Sequence, residues 1–296
     1  MKMAFETNHL VKKYSDFTLG PLDLSLEPGM VLGFIGPNGA GKTTTLHAMM
    51  GLIRRDEGSI HFNGLENDPE QTDWKQQVGF VGESHAYYER WSVEQNLACF
   101  SRFYPNWSRD KEQELCRRFE LDRNKKVKSL SKGNRVKLAL VKALSYSPQL
   151  LLLDEPTAGL DPVIRAEVLD ALFEVLEDSR RSIFYSTHIL SDISRLADEL
   201  AFIKNGQLIL REYKDEMINR WRKISFTTPE IMPNLPAIER LQQENHHYLA
   251  LSSDFEKSVQ AMREFGAENI EIFRLTIDEI AVQILKGDSH GNTDHQ

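Results

Sequence analysis

The chain has 296 residues, the length of about two domains, and 41% of them are apolar, enough to bury a sizeable core. Lys and Arg number 36 against 44 Asp and Glu; the net charge of −8 argues against nucleic acid as the main partner, since phosphate backbones want a basic face. No apolar run is long enough to span a bilayer, only Cys99 and Cys116 are present, and Met1-Lys2-Met3-Ala4-Phe5-Glu6 lacks a signal-peptide core, so the expectation is a protein of a reducing cytosol.

Residues 4–35 alternate polar and apolar between Gly20-Pro21 and Pro28-Gly29 breaks, which predicts short strands, and Met30 to Ile35 reads as a buried strand. A glycine-rich stretch, Gly36 to Gly41, is followed by a predicted helix from Lys42 to Leu52. Residues 85–147 carry helical stripes, Leu97, Phe100 and Phe103 in one and Val136, Leu140, Val141 and Leu144 in another. Leu150 to Leu153 is a second fully apolar strand. Leu169, Leu172, Phe173 and Leu176 mark a helix, and Ser182 to Ser186 and Leu200 to Ile203 two further strands. This strand–helix alternation predicts an α/β domain with a largely parallel sheet. After about residue 211 the character changes: Lys223 to Phe226, Tyr248 to Ser252 and Ile270 to Arg274 read as strands, Asp254 to Phe265 and Thr276 to Lys286 as helices capped by Asp254 and Thr276. The expected organisation is a domain over 1–211 with a helical subdomain at about 85–147, a small α+β appendage over 212–286, and a disordered polar tail over 287–296.

Two motifs carry chemistry. Gly36-Pro37-Asn38-Gly39-Ala40-Gly41-Lys42-Thr43 matches G-x-x-x-x-G-K-[ST] between a strand and a helix, and Thr44 follows it. Glycines let backbone N–H groups turn inward around phosphate, and the helix start adds its positive dipole end. Lys42 supplies a point charge to the terminal phosphates and the Thr43 hydroxyl a Mg²⁺ ligand. The second motif, Leu150-Leu151-Leu152-Leu153-Asp154-Glu155-Pro156, ends an apolar strand in two acids, at the carboxyl edge where parallel sheets bind ligands. Asp154 there can hold Mg²⁺, and Glu155, aimed elsewhere, can serve as general base to water.

With these in place the chain resembles the ATP-binding cassette (ABC) family over roughly residues 4–210. Ser129-Leu130-Ser131-Lys132-Gly133-Asn134 resembles the family signature L-S-G-G-Q, departing at Lys132 and Asn134. Ala158-Gly159-Leu160-Asp161-Pro162 resembles the D-loop, Ser186-Thr187-His188 the switch histidine, and Val78 to Glu83 the Q-loop with Glu83 in place of the usual Gln. Tyr14 stands where an aromatic residue stacks on adenine. The resemblance implies a P-loop NTPase (RecA-like) core with an antiparallel β subdomain and a helical subdomain. It implies ATP and Mg²⁺ as cofactors, with Thr43, Asp154 and Glu83 toward the metal and Glu155 and His188 at the reacting water. It also implies a second cassette, identical or not, whose nucleotide is capped by Ser131, Lys132, Gly133 and Asn134, with Asp161 at the seam. With one cassette and no membrane span, the permease would be a separate multi-span chain and this subunit peripheral on the cytoplasmic face. The signature together with Glu-Pro-Thr-Ala-Gly-Leu-Asp-Pro resembles the bacterial exporter branch of drug, lantibiotic and bacitracin systems.

Two other readings stand beside this one. A soluble cassette protein of ribosomes or chromosomes would carry two cassettes or a long coiled-coil insertion, and the spacing from Lys42 to Ser131 leaves no room for one. A subunit that binds ATP without hydrolysing it would fit the departures at Glu83, Lys132 and Asn134 but not the presence of Lys42, Asp154, Glu155 and His188.

Overall fold

The alternating N-terminal segment folds as β1 (Phe5–Lys13) and β2 (Thr18–Leu26), antiparallel with Phe5 opposite Leu26 and Leu10 opposite Leu22. The computed structural model describes residues 2–68, 70, 72–82, 87–176, 181–228, 235–244 and 247–286; the Glu83 position and the 287–296 tail lie outside them. After β3 (Val31–Ile35) and α1 (Lys42–Met49), β4 (Glu57–Phe62) returns beside β1 and β5 (Leu65–Glu66) follows, giving a sheet of order β2-β1-β4-β5. Its inner face, with Phe5, Leu10, Leu22, Leu24, Ile60 and Phe62, joins the core beneath α1, and Trp74 stacks on Phe62. Helix α1 ends at Met49, short of the predicted Leu52, because Gly51 takes a left-handed φ of 65° and its N–H bonds back to Ala48 O.

Next come β6 (Val78–Val81), the helices α2 (Val93–Phe100), α3 (Arg109–Arg118) and α4 (Lys132–Leu144), β7 (Leu150–Asp154), α5 (Pro162–Leu176), β8 (Ser182–Thr187), α6 (Leu190–Leu196) and β9 (Glu199–Lys204). β10 (Gln207–Tyr213) leads out of this unit. The second sheet has the order β10-β9-β3-β8-β7-β6. β3 pairs in parallel with β8 and β9, and β7 in parallel with β6 and β8. Every residue of β3, β7 and β8 is buried, as parallel strands covered on both faces require. The registers set Ile35 beside Thr187 and Asp154 beside Ser186, so the carboxyl ends of β3, β7 and β8 form one crest.

The described chain divides into residues 1–208 and 209–296, three residues before the composition change read at 211. The second unit contains α7 (Lys214–Arg220), β11 (Arg222–Thr227), β12 (Ile238–Glu244), β13 (His247–Ser252), α8 (Phe255–Glu264), β14 (Glu268–Arg274) and α9 (Ile277–Lys286). Its antiparallel sheet has the order β12-β13-β11-β14. Ile224, Phe226, Tyr248 and Ala250 form a core with Val259 and Met262 of α8. Asp254 caps α8 by accepting from Lys257 N, and Thr276 and Glu279 cap α9 reciprocally. β12 escaped the sequence reading because Ile-Glu-Arg-Leu-Gln-Gln-Glu carries only two apolar residues, the composition of an edge strand.

Candidate active site

The turn from β3 into α1 builds a phosphate cradle from backbone. Gly41, at φ 110°, opens α1 in a conformation that a side chain resists, and a Cβ there would lie 2.7 Å from Leu19 Cδ1. No side chain caps α1 and its first turn holds no acid, so its leading N–H groups face the cleft without a side-chain acceptor. The cleft in front has a volume of about 430 Å³, with Asn38, Gly39, Gly41, Lys42, Thr43 and Thr44 along one wall and Glu155, Ala158 and His188 opposite. Gly36, Pro37 and Ala40 frame the loop rather than line the cleft: Gly36 and Ala40 are buried, and Ala40 N donates to Pro37 O.

Lys42 is buried and folded across this mouth. Its Nζ donates to Gly36 O at 2.8 Å and Pro37 O at 3.2 Å, and stands 3.2 Å from Glu155 Oε1. The other carboxylate oxygen, Glu155 Oε2, lies 2.8 Å from His188 Nδ1. Lys42, Glu155 and His188 thus form one line, centred on a carboxylate whose residue has a left-handed φ of 50°. Such a backbone costs about 1–3 kcal/mol and persists where surroundings over-determine it; here Glu155 N donates to Ser186 O and Glu155 O accepts from Ala158 N.

Asp154, one residue earlier, points the other way and is 1% exposed. Oδ1 accepts from Ser186 Oγ at 2.9 Å, while the buried Oδ2 has no hydrogen bond of normal geometry. Burial pushes this carboxyl above its usual range, opposed by the Thr43 and Ser186 hydroxyls and reinforced by the charge of Glu155. A buried carboxylate oxygen with spare capacity beside a threonine hydroxyl suits a hard cation. Among the described residues no cluster of three or more His, Cys, Asp or Glu exists, so a Mg²⁺ here would draw its remaining ligands from phosphate and water.

Among the aromatics, Phe17 lines the cleft and Tyr14 does not; half-exposed Tyr14 stands 6.5 Å from Phe17 across a turn closed by Tyr14 N to Phe17 O. The signature residues lie outside the Lys42 cleft. Ser131 caps α4, its hydroxyl accepting from Asn134 N at 3.3 Å. Gly133 lets α4 rest on α5, since a Cβ there would meet Ile164 Cδ1 at 2.6 Å. Lys132 Nζ reaches over Gly159, 3.0 Å from where a Cβ would be. Asp161 Oδ1 accepts from Val163 N and Ile164 N, both at 3.1 Å, and so caps α5.

Sequence reasoning missed Asp192. Fully buried, it accepts from Arg165 Nε at 2.7 Å and Tyr185 OH at 3.1 Å and bonds Thr157 Oγ1, tying the segment after Glu155 to α6. Its one sequence signal is its place on the helix that follows His188.

Comparison with known proteins gives the family. The family described as ABC transporter matches residues 19–158. The chain is 34% identical over 223 residues to the ABC transporter ATP-binding protein YhcH of Bacillus subtilis (strain 168), covering 74% of this chain and 73% of the other. This chain is an ABC transporter ATP-binding protein. The bacitracin transport ATP-binding protein BcrA of Bacillus licheniformis is 30% identical, with 75% of this chain and 74% of that one covered. A solved structure of the ATP-binding subunit of an ABC transporter superposes with a TM-score of 0.67 at 27% identity, covering 73% of this chain and 92% of that one. The ABC protein is accordingly an ATPase of the P-loop fold, and no described helix is long and apolar enough to cross a membrane.

Proposed function

We propose that this subunit energises export through a separate multi-span permease, by closing on a second cassette around ATP and reopening after hydrolysis. The observation that carries the reading is the line Lys42–Glu155–His188 across the mouth of the phosphate loop. When ATP enters, the N–H groups of Gly39 to Thr44 and the Lys42 ammonium take its phosphates, and Lys42 exchanges Glu155 for them. Glu155, released from Lys42, accepts a proton from the attacking water while His188 holds its other oxygen. The new P–O bond forms as the bond to ADP breaks, and the products are ADP and phosphate. Thr43 and Asp154 would hold a Mg²⁺, which would supply charge neutralisation at the phosphates. Phe17 offers its ring to the base, with Tyr14 beside it.

In this reading the signature groups of Ser131 to Asn134, which lie outside their own cleft, serve a second cassette's nucleotide, with Asp161 near that seam. The permease face is supported by exposed aromatics of the helical segment. Tyr88 and Trp91 stack at 4.3 Å, and Trp91, Gln95, Ala98, Cys99 and Arg102 line a hollow of about 270 Å³. Aromatic anchors beside a pocket are what a protein partner's helix would engage. Such a subunit resides on the cytoplasmic face of the membrane without crossing it. The test is ATP-dependent association: Glu155→Gln with ATP elutes as a dimer and Lys42→Ala stays monomeric, whereas a dimer independent of both would refute the proposal.

A further inference from the structure

The second unit holds a cavity of about 340 Å³ that the ATPase cycle does not use. Its floor is the sheet face opposite α8. Antiparallel registers place Arg240 opposite Leu251 and Leu251 opposite Lys223, and directly opposed residues share a face. The two cations therefore flank one leucine across three strands, about 10 Å apart by strand spacing. Leu249, two residues from Leu251 along β13, extends the apolar floor. The first turns of α9 overhang it with Asp278 and, one helical turn on, Val282.

Two of the four charges in the lining are already engaged: Glu279 accepts from Thr276 and neighbours Lys223. Among the described residues the side chains of Arg240 and Asp278 make no hydrogen bond or ion pair, while Lys223 has Glu279 as its electrostatic neighbour. A guanidinium and a carboxylate with no side-chain partner among the described residues thus face one apolar floor, with no net charge in the lining. Such a site favours neither a simple anion nor a simple cation, since each would meet one repelling group. A ligand with both charges and an apolar body satisfies all three features, and the volume is that of a small-molecule cleft.

We propose that the cavity binds a zwitterionic amphiphile of the size of an apolar α-amino acid. Its carboxylate meets Arg240, its ammonium Asp278, and its side chain lies on Leu249 and Leu251. The site is independent of the ATP reading, and its test is direct binding to the full chain. Titration calorimetry with leucine, isoleucine, methionine and phenylalanine should find at least one Kd of about 1 mM or tighter. Removing either ligand charge, as in leucinamide or 4-methylpentanoate for leucine, should weaken binding about tenfold or more, as for a lost charge-assisted hydrogen bond. Arg240→Gln and Asp278→Asn, both on exposed side chains, should each do the same and leave ATP turnover without amino acid unchanged. No binding of any of the four at about 10 mM, equal binding of 4-methylpentanoate, or binding that survives both substitutions would each overturn the proposal.

Discussion

Replacing Glu155 by Gln separates two jobs that the geometry gives one carboxylate. As the base it accepts the proton of the attacking water, and losing a general base lowers turnover by about 10²–10⁴. As the partner of Lys42 it competes with phosphate for the same ammonium. The pair is 3.2 Å apart with side chains only 6% and 12% exposed, so solvent screening is weak. At that separation and an effective dielectric of about 20, the gross attraction is about 5 kcal/mol. After desolvation, a charged contact of this kind keeps about 1.5–3 kcal/mol. Glutamine retains the shape and an acceptor oxygen but not the charge, so ATP should bind about tenfold tighter or more. Titration with a fluorescent ATP analogue and phosphate-release kinetics on the same protein read both effects. Slower turnover with unchanged ATP affinity would refute the competition argument, and normal turnover would mean that another group is the base.

Three further outcomes follow from named groups. Asp154 has a raised folded pKa, so its contribution to stability is full below the ordinary 3.8 and lost as pH rises through the raised value. Asp154→Asn should therefore raise the nucleotide-free Tm at pH 7, with the gain shrinking toward pH 4, and abolish Mg²⁺-dependent turnover; an unchanged Mg²⁺ response would contradict the assignment. Lys142 lies 5.2 Å from the Phe100 ring centroid and 5.8 Å from that of Tyr87, and burial lowers its pKa from 10.5 to about 8. Its contribution to stability rises between pH 8 and 10.5, so Lys142→Met should stabilise the protein below pH 8 by up to about 3 kcal/mol, less the lost ring contacts, and not above pH 10. Melting curves at pH 7 and pH 10.5 test this, and an equal shift at both would show packing rather than charge to be responsible. Lys132→Glu should lower turnover about tenfold or more while ATP affinity of the isolated subunit stays constant, because Lys132 lies outside its own cleft; a parallel loss of affinity would place its effect in cis.

The phosphate loop and the crest acids were legible because each rests on local chemistry: glycines that a tight turn demands, and an apolar run that stops at two charges. Burial of the four leucines of β7 was written in the run Leu150 to Leu153 for the same reason, whereas burial of Asp154 was not. Long-range approach was not legible. Nothing local in Phe17 distinguishes it from Tyr14, and the turn that brings Phe17 to Gly41 decides which ring lines the cleft. Asp192 looks like any helix-surface acid until α5 brings Arg165 and Tyr185 brings its hydroxyl. Lys132 and Gly159 are 27 positions apart in sequence and meet only through the packing of α4 on α5. β12, with only Ile238 and Leu241 apolar and no alternation, is held as a strand by β13 rather than by its own preference.

The central claim is that this ATPase drives a membrane permease held on a separate chain. Purifying tagged Glu155→Gln with ATP from solubilised membranes of the native host, and identifying what accompanies it, tests this most directly. The account predicts a multi-span membrane protein in stoichiometric amount, with a second cassette if the motor is a heterodimer. Recovery of soluble proteins or ribosomes alone would contradict it.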